Sequence, residues 1–401
     1  MIKPAHGTHH APTWLLTLLI AGLATLGPFS IDTYMPSFQA IAGDLHAGPL
    51  QMQQTLSVYL MAFSVMMLFH GALSDSFGRR PVILVSLTVF IGASIGCAFS
   101  YDIGHLLFFR GVQGLAAGGG MVVGRAMIRD MLEGHLAQKL MSRVTMLFGI
   151  SPAVAPIIGG WLHSAFGWHS VFVFLALLGT AMLVLCAIFL PETLPHHGRQ
   201  PISAVHLLRN YWKVGRNTKF LMLASTVSLH FAGFFLYISS APVFVIRHLH
   251  LNETQFGWLF IPAVSGIILG AFISGRVAGK HSHGATVRAA YYFLFGGALW
   301  NMAYNFNPPP SLPWAVLPIA LYSTGMSLAM ANISLLALDL FPFNRGMVSS
   351  LQGFAQTMLN AIVAGVVSPM LSFSVTTLAA GMLIFLILGR LAWHRYEKLA
   401  A

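Results

Sequence analysis

The sequence predicts an all-α integral membrane protein: twelve transmembrane helices in two six-helix bundles, with the N- and C-termini both cytoplasmic. Three observations carry that expectation. Of 401 residues, 56% are apolar and only 8% charged, whereas soluble domains carry about 25% charged residues. Twelve apolar runs each approach the roughly 20 residues that cross about 30 Å of hydrocarbon. Lys and Arg fall almost entirely on alternate joints between those runs. The charge deficit excludes a soluble cytosolic enzyme and a disordered chain. A net charge of +11 would suggest nucleic acid in a soluble protein, but membrane orientation accounts for it here. Cys97 and Cys186 both sit in apolar runs, which leaves no disulfide framework and no cysteine-based zinc module.

In the first half the runs cover 14–35, 51–74, 81–99, 104–127, 140–162 and 168–190. In the second they cover 219–244, 255–276, 286–305, 312–338, 346–370 and 373–393, the last two separated only around Pro369–Val375. The first run is too long for a signal-peptide core and contains Pro28 and Asp32, so it reads as a retained helix. Of the 21 Lys and Arg, all but Arg110 and Arg247 lie on one set of joints, from Lys3 through Arg79 and Arg80 to Lys398. Excess positive charge marks the cytoplasmic side. Both termini are then inside, and the number of crossings must be even. The longest polar stretch, 191–218, divides an N-terminal bundle (1–190) from a C-terminal one (219–401) as a cytoplasmic linker. Within it, Ile202–Trp212 suits a short amphipathic helix on the membrane surface, with Leu207, Leu208 and Trp212 on one face. Six plus six helices suggest two bundles rocking about a central site.

The chain has ten acids. Asp75, Asp130, Glu133, Glu192, Asp339 and Glu397 belong to cytoplasmic joints, and Asp44, Asp102 and Glu253 to external ones. Asp32 alone lies inside an apolar run, where an ionisable group costs about 2.5–3.5 kcal/mol and marks a functional position. The bland alternative is a carboxylate wetted at the outer end of the first helix. Arg110, the one Lys or Arg more than three residues inside a run, cannot shed its proton and must find an acceptor or water. Asp32 is its natural partner, directly or through water. Burial favours the neutral acid and a guanidinium favours the carboxylate, so the pair suits proton coupling. Packing against backbone carbonyls is the alternative role for Arg110.

Three motifs carry a family resemblance. Gly71-Ala-Leu-Ser-Asp75-Ser-Phe-Gly78-Arg79-Arg80 resembles the signature loop of the major facilitator superfamily, G-x-L-x-D-x-x-G-R-[KR]. The resemblance implies a cytoplasmic latch with Asp130, at the end of the fourth span, as its further acid. Physically, Gly78 permits a tight turn, and Asp75 can pair with Arg79 or meet a helix N-terminus. Arg110-Gly-Val-Gln113-Gly resembles the family's R-x-x-Q-G motif, whose arginine is linked to proton transfer. Gly149, Pro152, Pro156, Gly159 and Gly160 in the fifth span resemble the antiporter motif G-x-x-x-G-P-x-x-G-G, with Ala155 in place of one glycine. Two prolines bend a helix, and the glycines make a flat packing face. Ile31-Asp32-Thr-Tyr34-Met-Pro36 is similar to the bicyclomycin/chloramphenicol-resistance (Bcr/CflA) branch of the drug:proton antiporters, with echoes at Tyr237–Pro242 and Phe341–Leu351.

Softer polar groups furnish a candidate substrate cavity. Gln352, Gln356 and Asn360 share one face of the eleventh helix, and His230, Phe234 and Tyr237 one face of the seventh. Asn332, Tyr34, Tyr59 and Gln113 complete the set. Rings and amides without fixed charge suit varied amphipathic ligands, while interhelical hydrogen bonding is the alternative. Asn301 and Asn305 read as interfacial. His6, His9, His10, His281 and His283 lack a nearby carboxylate or thiolate and are read as polar segments, with no metal site. No P-loop or H-E-x-x-H occurs, and no cofactor is called for. A Ser225 or Ser228 pair with His230 is a weak enzymatic alternative. A non-transporting receptor and a metabolite or sugar exporter or importer of the same fold are others. The reading adopted is a monomeric proton-coupled exporter of amphipathic small molecules in a bacterial inner membrane. Its partners are substrate, protons and lipid, with no nucleic acid.

Overall fold

In hydrocarbon each backbone N–H must find its acceptor within the protein, which a helix does within its own segment, and helix is the only regular structure among the described residues. The computed structural model describes residues 13–132, 134–195, 199, 204–306, 310–342 and 344–400. Lys3, His6, His9, His10, Glu133, His196 and His197 lie outside them. The chain divides into two compact units, Met1–Leu207 and Leu208–Ala401. The first holds α1 (Thr13–Asp32), α2 (Phe38–Asp44), α3 (Pro49–Phe77), α4 (Arg79–Ala98), α5 (Ile103–Met131), α6 (Gly134–Phe166) and α7 (His169–Phe189). Helix α8 (Ala204–Gly215) straddles the division. The second unit holds α9 (Thr218–Ser239), α10 (Ala241–Val243), α11 (Gly257–Val277), α12 (His283–Tyr304), α13 (Leu317–Asp339), α14 (Arg345–Ile362), α15 (Ser368–Leu371) and α16 (Val375–Ala400).

Eleven of the described helical stretches are long and apolar enough to cross a membrane. At the expected ninth run, 286–305, the 22-residue α12 forms but is not among the eleven. Its polarity is spent internally: Asn301 donates to the Tyr237 hydroxyl at 2.7 Å, and the Tyr291 hydroxyl lies 3.4 Å from His230 Nε2. The first run extends past its expected end at 35. A 3-10 turn at Met35–Ser37, entered through Pro36, leads into α2, so one apolar stretch covers Trp14–Asp44. Proline's fixed φ suits the start of such a turn. At the joint between the last two runs, a π-helical turn at Val363–Val367 precedes Pro369, and α16 begins at Val375. Proline denies its N–H and crowds the preceding turn, and a π turn absorbs that misfit.

The two units repeat one pattern of helix neighbours. The pairs α3–α5, α4–α5, α1–α6, α1–α5, α4–α7 and α1–α7 recur as α11–α13, α12–α13, α9–α14, α9–α13, α12–α16 and α9–α16. The first of these crossings depends on a small residue in both units, as membrane helix packing commonly does. A Cβ on Gly114 of α5 would run into the Tyr59 carbonyl of α3, and one on Gly266 of α11 into the Ala320 carbonyl of α13. We expect Gly114→Val to cost about 1–3 kcal/mol through overpacking, seen as a lower thermal midpoint of the detergent-purified protein. Gly92→Ala, where a Cβ meets nothing within 4 Å, should be neutral or stabilising by up to about 1 kcal/mol.

Candidate functional site

A helix leaves its last four carbonyls without intrahelical partners, and α1 ends at Asp32 inside an apolar unit. The Ser30 carbonyl, one of these, accepts a hydrogen bond from Arg110 Nη1 of α5 at 2.9 Å. Arg110 is fully buried and thus acts as a cationic cap on the negative end of the α1 dipole. The same Nη1 donates to Gln113 Oε1, one helical turn on, at 2.5 Å. Gln113 is oriented in turn by donating to Ser94 Oγ of α4 at 2.8 Å. Two rings complete the cage, with the guanidinium carbon 4.2 Å from the Tyr34 centroid and 4.4 Å from that of Tyr59. Such faces attract a desolvated cation. Each ring is pinned by its hydroxyl. Tyr34 pairs with Thr55 Oγ1 at 2.7 Å, and Tyr59 with Ser30 Oγ at 2.6 Å and the Gly27 carbonyl at 3.1 Å. Among the described residues, Arg110 Nε and Nη2 find no hydrogen-bond acceptor.

This arrangement corrects two expectations. Asp32 is buried, 4% exposed, but among the described residues it forms no ion pair with Arg110. Arg110 meets the helix end and the two ring faces, so of the two links expected between it and Asp32 the direct one is not formed. Tyr34, Tyr59 and Gln113, expected to line a substrate cavity, are fully buried and committed to the Arg110 cage.

The antiporter-like helix meets the same place. Pro152 and Pro156 both lie inside α6. A Cβ on Gly159 would strike the Thr33 carbonyl, so α6 touches bare backbone one residue beyond Asp32. Ala155, which departs from the motif, is fully buried, and Gly160 is buried beside Gly159. A Cβ on Gly149 would meet nothing within 4 Å.

The loop Gly71–Arg80 forms a second polar cluster at the other end of the unit. Gly78 takes φ +102°, which L side chains rarely adopt, and stands at both the end of α3 and the start of α4. Arg79 Nη1 reaches Asp75 Oδ1 at 2.5 Å and Ser74 Oγ at 2.6 Å, while its Nε reaches Asp130 Oδ2 at 2.9 Å. Of the two partners expected for Asp75, the structure has Arg79. Glu192 was not foreseen as a member. Its Oε1 accepts the backbone N–H of Arg79 at 3.0 Å and its Oε2 that of Arg80 at 3.2 Å. The carboxylate therefore caps the orphan donors at the start of α4. Thr193 Oγ1 adds a bond to Asp130 at 3.1 Å, and Arg80 Nη2 one to the Ala187 carbonyl at 2.6 Å. The available signal was an acid directly after Pro191, where the sixth run ends.

In the second unit most of the expected cavity residues turn inward. His230 is fully buried against Tyr291, and its backbone carbonyl accepts the Tyr322 hydroxyl at 3.0 Å. Its ring makes no bond to a serine, which removes the Ser225 or Ser228 pairing. Tyr237 is fully buried and bonded to Asn301. Asn301 and Asn305, 0% and 4% exposed, are interior residues rather than interfacial ones. Asn332 Oδ1 meets His283 Nδ1 at 2.9 Å, and its Nδ2 donates to the Leu328 carbonyl at 2.9 Å. Gln352 Nε2 donates to Ser334 Oγ at 2.7 Å. The remaining three differ. Phe234 packs edge-on to Phe231, Gln356 is half-buried, and Asn360 keeps a buried Oδ1 without a partner among the described residues. No group of three metal-ligating side chains occurs among the described residues.

Residues 17–365 match the Major Facilitator Superfamily. The chain is 28% identical over 358 residues to a bicyclomycin resistance protein homolog of Haemophilus influenzae, covering 89% of this chain and 90% of that protein. It is 27% identical over 357 residues to multidrug resistance protein D of Escherichia coli, covering 87% of each. Its fold matches the crystal structure of a bacterial homolog to the human lysosomal transporter Spinster, in an inward-facing and occupied conformation. There the TM-score is 0.75 at 15% identity, with 98% of both chains covered. Loop motif, helix motifs, fold and a match across most of the length agree: the chain belongs to the Major Facilitator Superfamily and is a multi-pass membrane transporter, not an enzyme.

Proposed function

We propose that the protein exports amphipathic small molecules from a bacterial cell in exchange for protons, by alternating access of twelve inner-membrane crossings with both termini cytoplasmic. The observation that carries this reading is Asp32, a buried acid at the C-terminus of α1, two residues after the carbonyl that Arg110 caps and one before the carbonyl that Gly159 of α6 meets. A carboxylate there faces the negative end of its own helix dipole, and Arg110 already serves that end. Gaining or losing a proton at Asp32 thus changes the charge balance where α1, α5 and α6 meet. Relatives named for bicyclomycin and multidrug resistance support drug-like cargo. Phe234, Gln356 and Asn360 offer it a ring and adaptable amides. The Asp75–Arg79–Asp130 cluster, with Glu192, acts as the cytoplasmic latch.

One coupling acid implies one proton per cycle. That proton brings about 2.3 kcal/mol per 100 mV and about 1.4 kcal/mol per pH unit. Exchange for a monovalent cation cancels the voltage contribution, whereas export of a neutral drug keeps it. Collapsing the membrane potential at fixed ΔpH should therefore slow efflux of neutral drugs more than that of cationic ones in proteoliposomes. An equal response contradicts one-for-one exchange. Drug-induced proton release from detergent-purified protein should fall to background in Asp32→Asn, and undiminished release would remove Asp32 from the coupling role. Asp75→Asn and Glu192→Gln both weaken the hold on Arg79. Combined, they should depart from additivity by about 0.5–3 kcal/mol in unfolding experiments; strict additivity would mean that the two acids do not act as one latch.

A further inference from the structure

Helix α8 ends at Gly215, and the membrane-crossing α9 begins three residues later, capped by Asn217 Oδ1 on the Phe220 N–H at 3.0 Å. A helix so close to a span is held at headgroup level. At 3.6 residues per turn its side chains sort into three stripes. The inner stripe faces the second unit: Val214 is 1% exposed, Tyr211 bonds to Ser350, and Gly215 faces Leu351. The next stripe is apolar and uncovered, with Leu208 59% and Trp212 67% exposed. The third is basic, formed by the exposed Arg209, Lys213 and Arg216, and the Arg216 guanidinium lies 5.7 Å from the Trp212 ring centroid. No acid occurs in the sequence between Glu192 and Glu253.

We infer that this uncovered face of α8 docks on anionic phospholipid headgroups and thereby steadies the start of α14. An amphipathic helix with aromatic and aliphatic residues on one side and cations on the flank inserts shallowly at a charged lipid boundary. Three unopposed cations select anionic over zwitterionic lipid, and Trp212 belongs at the interface. The contacts of Tyr211 with Ser350 and Gly215 with Leu351 pass that anchoring to the first turns of α14. Farther along α14 lie Gln352, Gln356 and Asn360.

Bromolipid quenching of tryptophan fluorescence in the reconstituted full-length protein tests this, with Trp212→Phe isolating the Trp212 contribution. Vesicles of phosphatidylcholine are compared with vesicles containing phosphatidylglycerol, brominating one lipid at a time. Trp212 should be quenched at least about twofold more per brominated phosphatidylglycerol than per brominated phosphatidylcholine. High salt should erode that preference, because the screening length shrinks from about 8 Å at 0.15 M to about 3 Å at 1 M. Arg209→Gln/Lys213→Gln/Arg216→Gln should abolish the preference, and charge-keeping Arg209→Lys/Arg216→Lys should retain it, which separates charge loss from misfolding. Phosphatidylglycerol should also raise the thermal midpoint of the wild type more than that of Tyr211→Phe, whose quenching stays unchanged. Equal quenching by both lipids would overturn the anionic assignment, and no quenching by either would place α8 off the membrane. An equal lipid-dependent midpoint in Tyr211→Phe would overturn the link to α14.

Discussion

A guanidinium that keeps its proton and is sealed from water has to be paid for by its surroundings, and much of the first unit is arranged to do so for Arg110. The end of α1 supplies a carbonyl freed by helix termination. Helix α3 supplies the Tyr59 face, the turn after α1 supplies that of Tyr34, and α4 holds Gln113 in the orientation that accepts. Removing any one of these leaves the others facing an under-satisfied cation, which is costlier than losing an ordinary hydrogen bond. The cage therefore ties down the end of α1, two residues before Asp32.

Charge and hydropathy made the membrane class and the order of helices legible, because a span must be apolar and its flanks must not. The loop around Asp75 was equally legible, since a positive-φ glycine and its flanking charges are local in sequence. What the sequence withheld is partnership. Helical periodicity puts His230, Phe234 and Tyr237 on one face, but in a bundle each face has a neighbour. Only the packing of α12 shows that His230 and Tyr237 are absorbed by Tyr291 and Asn301. The same limit explains α12, whose polar residues depress its hydropathy while their bonds are made inside the unit. It also explains Asp32 and Arg110, where opposite charge suggested a pair but the helix end proved the better acceptor.

The repeated helix neighbours of the two units make their differences informative. The joint between α3 and α4 turns at Gly78 and is followed by Arg79; the joint after α11 turns at Gly279, φ +76°, and is followed by Lys280. Three residues before the first glycine stands Asp75, and three before the second stands Arg276. One copy of the turn thus has an acid to hold its cation, and the other carries a second cation in that place. Among the described residues, the acid-held cation after the turn glycine is found in the first unit and not at the matching turn of the second.

Most helix contacts in a bundle are cushioned by side chains that can change rotamer and so absorb small displacements. Between α6 and the chain after Asp32 there is no such cushion, because Gly159 sits directly on the Thr33 carbonyl. Where two main chains are in bare contact, neither can approach the other by a further ångström without backbone giving way. A shift of the chain after Asp32 toward α6, the helix that carries Pro152 and Pro156, therefore meets backbone at once.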